Sequence, residues 1–300
     1  MRPLQPKRAG RSSLVLRARG LLTGLFSLLL AGCAAAPNQL ELTRQAQTVA
    51  QAGGLVMAQV PTERFVLTGF YRITRPDLPL TVYIEGDGFA WRTRSQPSSN
   101  PTPINAQGLK LAAADPAPNV LYLARPCQFT PMAVNPRCEV SYWTGKRFAE
   151  DVVVTMNQAI NQYTARVPGQ PIHLVGYSGG ATIAALLAAR RGDVISLRTV
   201  AGNLDVDEVN RLHRVTPMPG SLNAIDIAPR LIDLPQIHYT GSDDSVVPPV
   251  IAQRFAAATG GHCTQVRVVP TMRHDSDWAR AWPALSNEPP RCMKRADDER

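Results

Sequence analysis

The chain of 300 residues is 44% hydrophobic and 18% charged, an ordinary globular balance with ample material for a core. Its formal charge of +9 points toward nucleic acid, but six basic residues (Arg2, Lys7, Arg8, Arg11, Arg17 and Arg19) lie in the first 33 positions with no acid among them. The remaining 26 basic and 23 acidic residues nearly cancel and hold no basic run interleaved with aromatics, which argues against a nucleic-acid partner.

In chain order, the N-terminus reads as an export signal: a basic stretch to Arg19, an apolar run over 21–30, then small residues. The run is shorter than the roughly 20 residues a membrane-crossing helix takes. No paired arginines precede it, so the twin-arginine route is not indicated. Leu30-Ala31-Gly32-Cys33 resembles the lipobox of bacterial lipoproteins. The resemblance implies that residues 1–32 are removed, that Cys33 carries lipid, and that the membrane is a partner through this anchor. Ala34 after the cysteine implies the periplasmic face of the outer membrane over the inner membrane. The competing reading is an ordinary cleaved signal with an incidental cysteine. Residues 34–41 read as a tether and 43–52 as a helix ended by Gly53-Gly54, so that anchor, tether and helix (33–60) precede a single main domain over 61–300.

Strands follow at 65–73, broken by Arg75-Pro76-Asp77, and at 80–85. A Pro/Ser-rich loop at 96–103 leads to a helix over 107–114, a strand over 119–124, a helix over 147–165 and an apolar strand over 172–175. After Gly176-Tyr177-Ser178-Gly179-Gly180 come a helix over 181–190, strands at 194–200, 236–239 and 265–269, and a helix from near 275 through 285. Strands alternating with helices predict an α/β fold, a mostly parallel sheet covered on both faces. The segment 202–235 is too short for a large lid.

Setting Cys33 aside leaves Cys127, Cys138, Cys263 and Cys292. An even number in an oxidising compartment predicts two disulfides, and four cysteines allow three pairings. We favour Cys127–Cys138, closing a short loop, and Cys263–Cys292, tying the tail to the last strand; free buried thiols are the alternative. The spacings match no zinc pattern.

The G-x-S-x-G at 176–180 is entered by an apolar strand and left by an Ala/Leu-rich helix, the setting of a nucleophile elbow. A serine hydroxyl needs a base to act at neutral pH. Gly241-Ser242-Asp243-Asp244-Ser245-Val246-Val247-Pro248 and the late His274 follow in order, and at this point the chain resembles the α/β-hydrolase superfamily over roughly 65–285. The resemblance implies Ser178 as nucleophile, Asp244 as acid, with Asp243 the adjacent rival, and His274 as base. His173 and His238 fall inside strands, His213 comes too early and His262 precedes the last strand. The resemblance also implies oxyanion donors at Gly179 and at Asp87, with Gly88 next in line, in a loop where Glu85 stands in place of the His of many relatives. The Asp87 carboxylate would need to point away or pair, with Arg92 or Arg94 as partners. Trp91, Trp143, Tyr177 and Trp278 are pocket candidates. These readings make an esterase-like serine hydrolase acting on a small or envelope-derived ester, with no metal or organic cofactor required. Thioesterase, lipase and peptidase activity share the same machinery. A non-catalytic binding module and an acyltransferase are the alternatives.

Overall fold

The structure, a computed structural model, describes residues 38–293. The export signal, Cys33 and the start of the tether fall outside the described residues. Helix α1 (Gln39–Ala52) begins four residues ahead of its predicted start, because the Asn38 side chain accepts the Glu41 N–H (3.0 Å) and caps it. The end of the expected tether is therefore helical.

Among the described residues, eight strands form one sheet: β1 (Val56–Pro61), β2 (Val66–Ile73), β3 (Leu80–Ile84), β4 (Asn119–Leu123), β5 (Ile172–Tyr177), β6 (Val194–Val200), β7 (Gln236–Gly241) and β8 (Thr264–Val269). Their spatial order is β1-β2-β4-β3-β5-β6-β7-β8. The pairs β1–β2 and β2–β4 are antiparallel, and every other pair is parallel. β1 was not anticipated; it is an edge strand whose only buried side chain is Val60.

Both faces of the sheet are covered, so the central strands read as unbroken apolar runs. Val82, Ile84, Leu121, Leu123 and Leu174 face one core, shared with α3 (Glu150–Thr164), α4 (Gly179–Ala188) and α6 (Pro249–Ala258). Tyr83, Val120, Tyr122, Val175 and Tyr177 face the other, shared with α1, α2 (Gln107–Ala114) and α7 (Trp278–Ser286). Burying each large side chain is worth about 1.5–3 kcal/mol. Every residue of α4 is buried, which explains its apolar character all round. The segment from β6 to β7 holds only α5 (Val206–His213) and a 3-10 helix, Ala224–Leu231, so there is no large lid. Cys127 pairs with Cys138 and Cys263 with Cys292, as favoured.

The layout positions the site. The loops that follow β3, β5, β7 and β8 all leave the carboxyl ends of parallel strands, and so they meet along one edge of the sheet.

Candidate active site

Ser178 sits in the one-residue turn between β5 and α4 with φ 49° and ψ −120°, a conformation that costs a non-glycine residue about 1–3 kcal/mol. The surroundings over-determine it. Its N–H donates to the Val200 carbonyl (3.0 Å), and its own carbonyl accepts the N–H groups of Ala181 and Asn203 (3.0 Å each). Gly176 is needed because a Cβ there would come within 2.5 Å of Ala181 Cα.

The strained turn presents Ser178 Oγ to His274 Nε2 at 2.9 Å. His274 Nδ1 lies 2.9 Å from Asp244 Oδ2. The Asp244 side chain is fully buried, and its other oxygen accepts the N–H groups of Val246 (2.9 Å) and Val247 (2.8 Å). An ionised carboxylate only accepts, so Nδ1 carries the proton and Nε2 faces the serine as an acceptor. The ring is held from behind as well: the His274 carbonyl accepts from the Tyr177 hydroxyl (2.9 Å) and the Trp278 indole (3.1 Å). Burial raises the Tyr177 hydroxyl well above its ordinary pKa, which keeps it a donor.

Asp243 is exposed and bonds the neighbouring Ser242 hydroxyl (2.7 Å) instead of a histidine. The remaining histidines are engaged elsewhere. His173 meets Ser196 Oγ (2.6 Å), His238 meets Thr199 Oγ1 (2.9 Å), His213 meets the Val246 carbonyl (2.7 Å) and His262 meets Asp233 (3.4 Å).

A cavity of about 430 Å³ opens over Ser178 and His274. Trp91 and Tyr177 line it; Trp143 and Trp278 do not. Trp143 is buried with its indole donating to the Ser98 carbonyl (2.9 Å), and Trp278 is fully buried behind His274, so both are packing residues. Two other cavities, about 460 and 500 Å³, lie away from Ser178 and hold no such trio.

No family model and no curated protein matches this chain by sequence. Solved structures do match it in shape. The Pyrococcus horikoshii acylaminoacyl peptidase superposes with a TM-score of 0.56 at 10% identity over 78% of this chain, which spans only 40% of that protein. A serine hydrolase homologue from Coxiella burnetii gives 0.55 at 14% identity, covering 77% of this chain and 96% of the other. The esterase domain of a Rhodothermus marinus protein gives 0.52 at 13% identity, covering 78% and 96%. The chain has the α/β-hydrolase fold.

In this α/β-hydrolase fold the loop after β3 approaches Ser178 from the side. Among the described residues, neither the Asp87 nor the Gly179 N–H makes a turn, loop or side-chain hydrogen bond. The Asp87 carboxylate lies directly against Gly179: a Cβ on that glycine would fall 2.0 Å from Oδ1. The expected pairing with Arg92 or Arg94 is corrected. Both are exposed, and Arg94 donates to the His213 carbonyl (3.1 Å). Asp87 turns inward and is shared by Arg125 (3.4 Å) and Arg147 (3.1 Å), which also flank the Phe148 ring. Burial pushes the Arg125 pKa down to about 10, opposed by the charge of Asp87.

The Glu85 carboxyl turns to the head of α2. It is buried and accepts the N–H groups of Gly86 (2.9 Å), Gly108 (3.1 Å) and Leu109 (3.3 Å) and the Tyr122 hydroxyl (2.9 Å). It thereby caps α2, whose own first residues offer no side-chain cap. Burial raises its pKa, and these four donors oppose the rise. Sequence reasoning missed Arg125 and Arg147 and the capping role of Glu85. None carries a local motif, and each acts on a partner brought near only by folding.

Proposed function

We propose that this protein is a serine hydrolase that cleaves a carboxylic ester through an acyl-enzyme, held in the bacterial envelope by lipid on Cys33. The observation that carries the reading is the continuous hydrogen-bond chain from Ser178 Oγ through His274 to buried Asp244, at the end of a strained strand–helix turn. His274 Nε2 takes the hydroxyl proton as Oγ attacks the ester carbonyl, and Asp244 stabilises the imidazolium that forms. The free N–H groups of Gly179, at the head of α4, and Asp87 receive the developing oxyanion. His274 returns the proton to the leaving alcohol, and water then repeats the cycle on the acyl-serine. The peptidase and the esterase among the structural neighbours fit acyl transfer from serine without choosing the leaving group.

The reading is tested by following hydrolysis of nitrophenyl esters of increasing acyl length by the wild type and Ser178→Ala. Loss of kcat by roughly 10⁶-fold in the variant supports it; equal turnover by both proteins overturns it. The contact of the Asp87 carboxylate with Gly179 favours one second reading, a binding module, because a carboxylate there crowds the oxyanion position. A folded wild type without turnover selects that reading. The anchor is tested separately by metabolic labelling with a fatty acid: label in the wild type and none in Cys33→Ala is expected, and label in both refutes the assignment.

A further inference from the structure

The wall of the Ser178 cavity carries one arginine, Arg147. Its guanidinium reaches Asp87 through a single nitrogen (3.1 Å), and the other Asp87 oxygen is taken up by Arg125. Arg147 Nε, like Arg125 Nε, is buried without a hydrogen-bond partner, and among the described residues the Arg147 guanidinium, in a side chain 15% exposed, makes only this ion pair. Two guanidinium groups thus share one carboxylate. The other acid on the wall, Glu85, has both oxygens occupied by the head of α2 and by Tyr122. A guanidinium held only by a shared ion pair in a partly desolvated pocket gains when an anion supplies further acceptors.

The position of this charge relative to the chemistry is set by Asp87. Its Oδ1 lies against Gly179, the residue after the nucleophile, and its Oδ2 lies against Arg147. The Arg147 guanidinium therefore stands one carboxylate away from the Ser178–Gly179 peptide. A substrate whose ester carbonyl reaches Ser178 Oγ would bring atoms a few bonds further on to Arg147. Planar guanidinium is well matched to carboxylate and phosphate oxygens, which it receives through paired N–H groups.

We propose that Arg147 is a specificity residue, and that the natural substrate is an ester carrying a negatively charged carboxylate or phosphate group within a few bonds of the scissile carbonyl. This rests on the serine-hydrolase reading above. Asp87 holds the guanidinium in place before substrate arrives, and the anion then joins it from the cavity side.

The experiment uses the full chain in detergent and three nitrophenyl esters with the same leaving group: the mono-ester of glutarate, its neutral methyl ester, and the 4-phosphonobutyrate ester. The quantity read is the ratio of kcat/KM for each anionic ester to that for the neutral one. A charge-assisted contact raises the ratio above one by about 10-fold, carried mainly by KM. The larger of the two anionic ratios identifies carboxylate or phosphate as the preferred group. In Arg147→Gln the ratio falls to about one or below, and in Arg147→Lys, which keeps the charge but loses the fork, it falls part-way. Arg92→Gln, an exposed arginine next in sequence to the lining residue Trp91, keeps the wild-type ratio. A residue that served only the oxyanion would change all three substrates alike and leave the ratio unmoved. A wild-type ratio at or below one overturns the proposal, as does a wild-type ratio retained by Arg147→Gln. If that variant does not fold, added salt is varied with the wild type: a ratio that declines with salt supports the proposal, and one independent of salt overturns it. Turnover of the neutral ester with a ratio of one refutes only this inference, whereas no turnover and no fluorophosphonate labelling of a folded wild type refutes the hydrolase reading itself.

Discussion

Replacing Glu85 by Gln tests whether its carboxyl organises the loop beside Ser178. In the better of the two amide orientations, the carbonyl oxygen keeps the Gly86 and Gly108 N–H groups and the amide nitrogen takes the place of Oε2. The Tyr122 hydroxyl can turn and accept from that nitrogen, but the Leu109 N–H, a donor, then faces another donor in a buried site. One buried N–H left without an acceptor costs about 1–3 kcal/mol. A loss of 2 kcal/mol lowers the Tm of a domain this size by roughly 4–8 °C. Glu85→His, which installs the residue seen in the resembling hydrolases, costs more, since a neutral imidazole offers one acceptor where four donors converge. The assay is thermal unfolding beside ester turnover. The expected result is a lower Tm for Gln, a lower one still for His, and reduced kcat in both, as the loop bearing the Asp87 N–H loosens. An unchanged Tm in Glu85→His would refute the reasoning, because it would mean that the four hydrogen bonds contribute nothing.

Three other outcomes follow from named contacts. Asp244→Asn removes the acceptor that fixes the His274 tautomer and lowers kcat by about 10⁴-fold, while Asp243→Asn stays close to wild type; equal losses in steady-state kinetics would refute the assignment of Asp244. Burial lowers the His238 pKa from 6.5 to about 3, so the unfolded chain binds a proton that the folded one excludes. The resulting stability is fully present above about pH 6.5 and is lost as the pH falls toward 3, amounting to about 2 kcal/mol by pH 5. Urea unfolding at pH 7.5 and 5 should show this loss in the wild type and a smaller one in His238→Asn; identical slopes would contradict it. The Cys127–Cys138 bond spans 11 residues, and opening it with Cys127→Ser/Cys138→Ser removes about 3 kcal/mol, read as a Tm lower by roughly 6–12 °C; an unchanged Tm would contradict a stabilising role.

The elements read correctly from sequence are those whose periodicity records burial. The helix Gln107–Ala114 and the strand Val194–Val200 have the predicted bounds, because apolar and polar residues change places at their ends. β1 escaped because an edge strand with one buried side chain leaves almost no pattern. α5 and α6 carry usable local signals: Asp205 caps the Glu208 N–H, three residues on, and Pro249 opens α6. In the site, Ser178 is marked by a local motif, and Asp244 and His274 by their order after it. The clamp of Arg125 and Arg147 on Asp87 is a contact between distant segments, whereas the sequence offers only the neighbouring Arg92 and Arg94. The same holds for Glu85, whose partners on α2 and β4 are defined only once the sheet has formed.

The central claim is that Ser178 is the nucleophile, and a fluorophosphonate probe tests it most directly. The full chain and its Ser178→Ala variant, both shown to be folded, are treated with the probe and the adduct is located by peptide mass spectrometry. A single adduct on Ser178, absent from the variant, is the predicted result. A folded wild type that takes no adduct, or a variant that labels as readily as the wild type, would contradict it.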